Sequence, residues 1–319
     1  MSGYAQGGPT KFTSVNYLFG WDGRPQEFGA QLEINEIDVA IAGNDWIKER
    51  MLEMKMEYGK EVNLEYVMPL NRGGVKLVGI VEGDEFDTVE DFLKDLCSKK
   101  RLISVVTEMP YMTLNWLRTK LDEIGLLNEF QSFSVQKYKT PSKIESGIVI
   151  YETWGKTEAK IKNGGADIGL EITQSGSAIK NYGLKIIDTI MHSQTSIWIN
   201  PQVRKDAEKS ELLNMFLLNL YGSINAENKM MVIFNVPNEN VDAIDCYLRE
   251  KNLFADEPTV SVGKNFTVYN IQIDAGNKEE PLAKVRYELA KRGATSINTM
   301  PVQSSIPSIK VIRERDESC

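Results

Sequence analysis

Apolar residues fall into short blocks along the chain, set apart by glycine- and asparagine-rich punctuation. Residues 37–43, IDVAIAG, form an apolar run closed by glycine, which reads as a buried parallel strand. Asn44 and Asp45 follow, and residues 46–58 have helical spacing. Residues 63–70 and 75–81 read as two more strands. Thr88-Val-Glu-Asp91 is a capping pattern that starts a helix. A second strand–helix series begins near Arg101. It gives a strand at 102–107, a helix at 113–124 stopped by Gly125, short strands at 133–138 and 148–150, and a helix at 157–162 closed by Asn163-Gly164-Gly165. Residues 166–172 are a strand; a loop then leads to a strand at 195–199 and a helix at 203–222. In residues 1–24, rich in Gly, Pro, Ser and aromatics, only 15–19 has a strand pattern.

The pattern changes after a linker at 222–228. Strand 230–236, helix 240–251, strand 259–262, the alternating strand 266–273, helix 281–292 and strand 296–301 follow a βαββαβ order. That order is ferredoxin-like. The expected architecture is two α/β lobes and a separate α+β module. The first lobe spans residues 1–100, completed by about 195–224, and the second spans 101–194. The module takes 225–305, and a tail, charged from Arg313 on, takes 306–319.

Composition narrows the partners. With 319 residues the chain has enough material for well-formed cores. A net charge of -8 disfavours a nucleic-acid binder, whose affinity comes from Lys and Arg on phosphates, and an anionic membrane surface. No apolar stretch approaches the roughly 20 residues of a membrane span, and the N-terminus has no signal-peptide core. The cysteines, Cys97, Cys246 and Cys319, form no C-x-x-C pair, so neither a disulfide framework nor a zinc site is expected. A reducing, cytoplasmic compartment fits this usage.

The richest stretch for chemistry is 166–188, ADIGLEITQSGSAIKNYGLKIID. A strand delivers Glu171, and Ser175-Gly176-Ser177-Ala178 follows. Small residues let backbone approach a phosphate, and successive N–H groups form an anion nest. Ser175 and Ser177 add hydroxyls, and an acidic residue at a strand end can accept from ribose hydroxyls. The alternative is an ordinary serine–glycine turn, with Lys180 a solvated lysine. His192 is the only histidine, which excludes general His-based catalysis.

The same stretch resembles the phosphoribosyl pyrophosphate loop of ATP phosphoribosyltransferases, in which an acidic residue precedes Thr/Ser-Gly-x-Thr/Ser-Leu and a downstream Gly-Leu. Here these are Glu171, Ser175, Gly176, Ser177, Ala178, Ile179 and Gly183-Leu184. Residues 185–201, KIIDTIMHSQTSIWINP, are similar to that family's following helix and return strand. Upstream, YETWGKTEAKI (151–161), VVTEMP (105–110), IDVAIAGNDWI (37–47) and RPQEF (24–28) resemble its other motifs in order. MMVIFNVPNENVDAI (230–244) and PTVS (258–261) resemble the regulatory domain of its long form.

The resemblance implies a two-lobed catalytic unit similar to periplasmic binding proteins. It implies transfer of phosphoribosyl from phosphoribosyl pyrophosphate to N1 of ATP, with Mg²⁺ accompanying the donor. Glu171 would take the ribose hydroxyls, and Ser175, Gly176, Ser177 and Ala178 form the 5′-phosphate loop. Arg24 would neutralise phosphate, and Glu108, Glu158 and Asp45 are ligand or structural carboxylates. Pro258, Thr259, Val260 and Ser261 mark the strand where histidine would act as inhibitor. Dimers assembling into hexamers are also implied. Three departures stand out: no Lys-Gly-Arg occurs anywhere, so the usual first strand–helix unit is expected to be missing; Ala178 lacks a hydroxyl; and Met109 replaces an aromatic. The missing unit keeps a second reading open, a catalytically impaired relative serving as a regulatory or ligand-binding subunit. A periplasmic-type solute receptor would need an export signal.

Overall fold

The computed structural model describes residues 24–253 and 259–313. The expected strand at 15–19, Pro258 and Cys319 lie outside the described residues. The chain divides into two compact bodies between Lys205 and Asp206.

The first body runs α1 (Pro25–Glu33), β1 (Val39–Gly43), α2 (Asn44–Tyr58), β2 (Glu65–Glu82), α3 (Val89–Lys99), β3 (Leu102–Thr107), α4 (Pro110–Glu123), β4 (Phe133–Lys137), β5 (Gly147–Glu152), α5 (Thr157–Lys162), β6 (Ile168–Thr173), α6 (Ser177–Asn181) and β7 (Leu184–Ile199). One sheet joins it, in the order β1-β7-β2-β6-β3-β5-β4. Strands β2 and β7 pair along nearly their whole lengths and connect the two lobes. On one side lie β1, α1 and α2; on the other, β3 to β6 run parallel to one another.

Three sequence expectations are corrected here. Residues 37–43 give not a buried parallel strand but an edge strand antiparallel to β7. Only Ala40 and Ala42 turn inward, while Ile41 stays 43% exposed. Residues 63–70 and 75–81 are one strand rather than two. The chain passes the polar interruption through left-handed Asn71 and Gly73, and the register shifts there instead of breaking. Residues 185–194, expected as helix or loop, are the first part of β7. Their run of Ile and Thr is β-branched, and β2 supplies a full ladder for it.

Apolar side chains on the two faces of the parallel half form two cores. One, around Ile103, Val105, Ile148 and Leu170, is covered by Leu93 of α3 and Leu117 of α4. The other, around Val78, Ile80 and Val106, is covered by Ile161 of α5 and Ile179 of α6. Helix α3 starts as its capping pattern requires: the Thr88 hydroxyl accepts from Asp91 N–H at 3.2 Å.

The second body begins with α7 (Ala207–Asn225), capped by the Asp206 carboxylate, which accepts from Lys209 N–H at 3.1 Å. It continues through β8 (Lys229–Pro237), α8 (Val241–Glu250), β9 (Thr259–Val262), β10 (Phe266–Asp274), α9 (Leu282–Lys291), β11 (Thr295–Pro301) and α10 (Lys310–Arg313). The sheet order β11-β8-β10-β9, antiparallel throughout, is that of the expected ferredoxin-like module. Alternation in β8 and β10 sends Phe234 and Tyr269 into its core, where the rings stack 5.2 Å apart.

Candidate active site

The parallel strands end together, and the topology makes that edge a crevice. From β3 the chain crosses by α4 over β5 to β4; from β5 it crosses by α5 over β3 to β6. Right-handed crossovers in opposite directions put α4 and α5 on opposite faces. The carboxyl edge at such a switch point is where open α/β sheets bind ligands.

Register fixes what stands there. Thr107 of β3 pairs with Leu170 of β6 and with Glu152 of β5. Glu108, one residue past Thr107, is therefore level with Glu171 on one side and Thr153 on the other. Glu171 turns to the α5 face, two residues after Gly169. That glycine has no room for a side chain, because a Cβ would meet Thr157 Cγ2 at 3.0 Å and Ile161 Cγ1 at 3.1 Å. The close approach of α5 brings Thr157 and Glu158 to Glu171.

Glu171 is half-buried and short of partners. Its Oε1 accepts from the Ile172 N–H at 3.1 Å; its Oε2 is buried with no hydrogen bond. The Thr157 hydroxyl is near enough to pull the carboxyl's pKa down, but its oxygen too is buried without a hydrogen bond of good geometry. Thr153 Oγ1, on the neighbouring strand end, is a third such atom. Buried polar atoms in folded proteins are nearly always satisfied, so three of them at one edge make it a candidate binding site. Burial pushes Glu171 up to about 7, and the charges of Glu158 and Glu108 add to it.

The loop after β6 is wound tightly on itself. Gly176 has φ +73° and donates its N–H to the Thr173 hydroxyl at 2.9 Å. The Ser175 and Ser177 hydroxyls pair at 2.8 Å, and Ser177 N–H reaches Ser175 Oγ at 3.3 Å. Ser175, Ser177 and Ala178 are exposed. Helix α6, with five residues, is too short for a useful dipole. The donors that matter are the loop's own N–H and O–H groups.

The structure thus places Glu171, Glu108 and Glu158 along one edge, with the Ser175–Ala178 loop following directly on β6. Arg24 is not brought to that edge; it stands exposed ahead of α1, on the β1 side. Asp45 is buried near β7, its own N–H donating to Ser193 Oγ at 3.1 Å. Met109, at 0% exposure, fills the α4-side core. His192 is exposed on β7. Thr259, Val260 and Ser261 lie in β9, an edge strand that among the described residues pairs with β10 alone.

Two residues were missed from the sequence. Lys160, three positions after Thr157 on the same face of α5, donates to the Gly155 carbonyl at 2.5 Å. That helical spacing was its only signal. Glu49 of α2 is 8% exposed, and its oxygens accept the Tyr111 and Met112 N–H groups of α4 at 2.8 and 2.7 Å. Nothing local announces a pairing across 62 residues. Among the described residues no group of three or more His, Cys, Asp or Glu converges as a metal cage.

A two-lobed α/β unit whose parallel strands end at an acidic edge, beside a small-residue loop, belongs to the class of α/β proteins that bind ligands at a carboxyl-edge crevice. A profile of the HisG family, ATP phosphoribosyltransferase, matches residues 24–221, and the chain belongs to that family. Its activity is accordingly that of a glycosyltransferase of histidine biosynthesis; no observation favours the non-catalytic subunit. ATP phosphoribosyltransferase from Geotalea uraniireducens is 27% identical over 290 residues, covering 89% of this chain and 83% of the relative. The Archaeoglobus fulgidus enzyme is 26% identical over 86% of this chain and 88% of its own. Among solved structures, the ATP phosphoribosyl transferase (HisG:HisZ) complex from Thermotoga maritima superposes with a TM-score of 0.43 at 16% identity, covering 61% of this chain and 74% of that one.

Proposed function

We propose that phosphoribosyl pyrophosphate binds at the carboxyl edge of the parallel strands, with its ribose hydroxyls on Glu171 and its 5′-phosphate in the loop from Ser175 to Ala178. The observation that carries this is the half-buried carboxylate whose Oε2 has no hydrogen bond, followed closely by an exposed loop of small residues rich in N–H and O–H donors. The N–H groups of Gly176 and Ser177 are held by side-chain hydroxyls of the loop. A phosphate exchanges these neutral acceptors for charged oxygens, a stronger bond for the same donors. Ala178 offers only its backbone.

In the transfer, the C1′–O bond to pyrophosphate breaks and a C1′–N1 bond to ATP forms. Ionised Glu171 orients the ribose and opposes the positive charge that develops on it. Glu108 and Glu158 share the edge and extend that negative field. No covalent nucleophile is required. Mg²⁺ would accompany the donor's diphosphate and neutralise part of its charge. Arg24, exposed ahead of α1 and away from this edge, is given no role in donor binding here.

The module is proposed to carry feedback. Histidine would act at Pro258–Ser261, where β9 leaves one edge of the sheet unpaired among the described residues. A dimer or hexamer in the cytoplasm is the working assembly. No helix among the described residues is long and apolar enough to cross a membrane. The test follows phosphoribosyl-ATP formation by ultraviolet absorbance with the full chain, Mg²⁺ and both substrates, with and without histidine. Turnover is expected, and Ser261→Trp is expected to relieve histidine inhibition while leaving the uninhibited rate unchanged. Turnover that histidine never slows would remove the regulatory assignment and leave the transferase.

A further inference from the structure

Three tryptophans of the first body are tied into the fold. Trp46 packs against the α4-side core. The Trp116 Nε1–H donates to Asp188 at 2.8 Å. The Trp198 Nε1–H donates to Asn44 Oδ1 at 3.0 Å, and its ring meets Tyr66 edge-on with centroids 5.5 Å apart. Trp154 is different: it is 65% exposed and closes no hydrogen bond or ring contact with a described residue. Isolated exposed apolar side chains are common on protein surfaces. The place of this one is what counts.

Trp154 stands two residues past the end of β5, at the carboxyl edge. The residue before it, Thr153, donates its N–H to the Thr107 carbonyl at 2.9 Å, so the turn begins against the end of β3. The residue after it, Gly155, lies against Glu108: a Cβ there would stand 3.7 Å from Glu108 Oε1. Both chain neighbours of the indole therefore touch the acidic edge. The turn itself is held. Gly155 and Lys156 have consecutive positive φ values, +74° and +60°, and Lys160 of α5 donates to the Gly155 carbonyl at 2.5 Å. A left-handed lysine persists only where its surroundings enforce it. A braced turn thus offers a flat apolar face to solvent beside the crevice.

Of the two substrates, ATP alone brings an aromatic ring. Strand β3 lies between β5 and β6, so the ends of β5 and β6 are two strand spacings apart, about 10 Å. With the donor's ribose on Glu171 at the end of β6, N1 of ATP must come to C1′ there. The rest of the purine then extends past Glu108 toward β5. We infer that Trp154 stacks on the adenine of ATP and fixes where the acceptor's base lies. The inference rests on the reading of Glu171 as the ribose-binding group. Base–aromatic stacking supplies binding and orientation, so its loss falls on ATP and leaves the donor untouched.

The test combines kinetics with tryptophan emission of the full-length protein. Trp154→Leu is expected to raise KM for ATP by about tenfold, with KM for phosphoribosyl pyrophosphate unchanged, and Trp154→Phe, which keeps a ring, to raise KM for ATP by less than about threefold. ATP should quench wild-type emission, and inorganic triphosphate, which has no base, should not. Trp154→Phe should lose that quenching. An unchanged KM for ATP in folded Trp154→Leu overturns the inference. So does an equal rise in KM for both substrates, an equal rise in Trp154→Leu and Trp154→Phe, or quenching by triphosphate equal to that by ATP. Wild-type turnover in Glu171→Gln with ATP still quenching Trp154 would overturn the ribose reading and leave the stack standing.

Discussion

The first body contains two carboxylates that burial drives upward, Glu49 between α2 and α4 and Glu171 at the carboxyl edge. Burial pushes Glu49 up to about 8, against two backbone hydrogen bonds that pull down, and Glu171 up to about 7. Their surroundings differ in one decisive way. Both oxygens of Glu49 accept backbone N–H groups at the start of a 14-residue helix. One oxygen of Glu171 accepts nothing. A perturbed carboxyl is therefore no sufficient sign of function. Glu49 satisfies N–H groups that every helix leaves open at its start, and belongs to the fold. Glu171 keeps a buried oxygen without a backbone hydrogen bond, next to the Thr157 hydroxyl.

The largest expected effect separates the two. Glu171→Gln should lower kcat/KM by at least about a hundredfold, ~3 kcal/mol of transition-state stabilisation, with no loss of thermal stability. Retained turnover would make Glu171 another Glu49. Gly176→Val comes next. Its φ of +73° already strains any side chain, and a Cβ would meet Ile186 Cδ1 at 3.3 Å. Donor binding by calorimetry should weaken by more than tenfold; an unchanged affinity would remove the phosphate from this loop.

Glu49→Leu should show the opposite profile from Glu171→Gln. It leaves the Tyr111 and Met112 N–H groups without acceptors, which costs about 2–4 kcal/mol in urea unfolding. Turnover per folded molecule should hold. The smallest effect is a slope with pH. A carboxyl whose pKa is higher folded than unfolded favours the folded state most below its unfolded value of 4.5, and loses that advantage as pH rises to the folded value. Wild-type stability should therefore decline from about pH 5 to about pH 8. Glu33 and Glu90, lowered by lysine and arginine partners, act only at more acid pH and leave this window clear. Glu49→Leu should flatten the slope more than Glu171→Gln; equal flattening would erase the contrast in burial between the two sites.

Much of the candidate site was legible because it is local. Glu171 and the Ser175–Ser177 loop lie within seven residues of one another, and strand and turn chemistry both show in that span. The ferredoxin-like module was legible for a related reason, since alternation in 266–273 and helical spacing on either side give its order directly. What failed was pairing. The edge position of β1, the continuity of β2 through Asn71 and Gly73, and the extension of β7 over residues 184–199 depend on ladders between segments more than a hundred residues apart.

By itself, then, the sequence determined the order of elements, the family, and the acid-and-loop constellation, because periodicity, small residues and spacing act over a few residues. Only tertiary structure decided that Glu171 has a buried oxygen without a hydrogen bond and that Glu49 completes a distant helix. Burial and the supply of hydrogen-bond partners are set by segments that meet only in the fold, and those two quantities fix a carboxyl group's charge and what it remains able to bind.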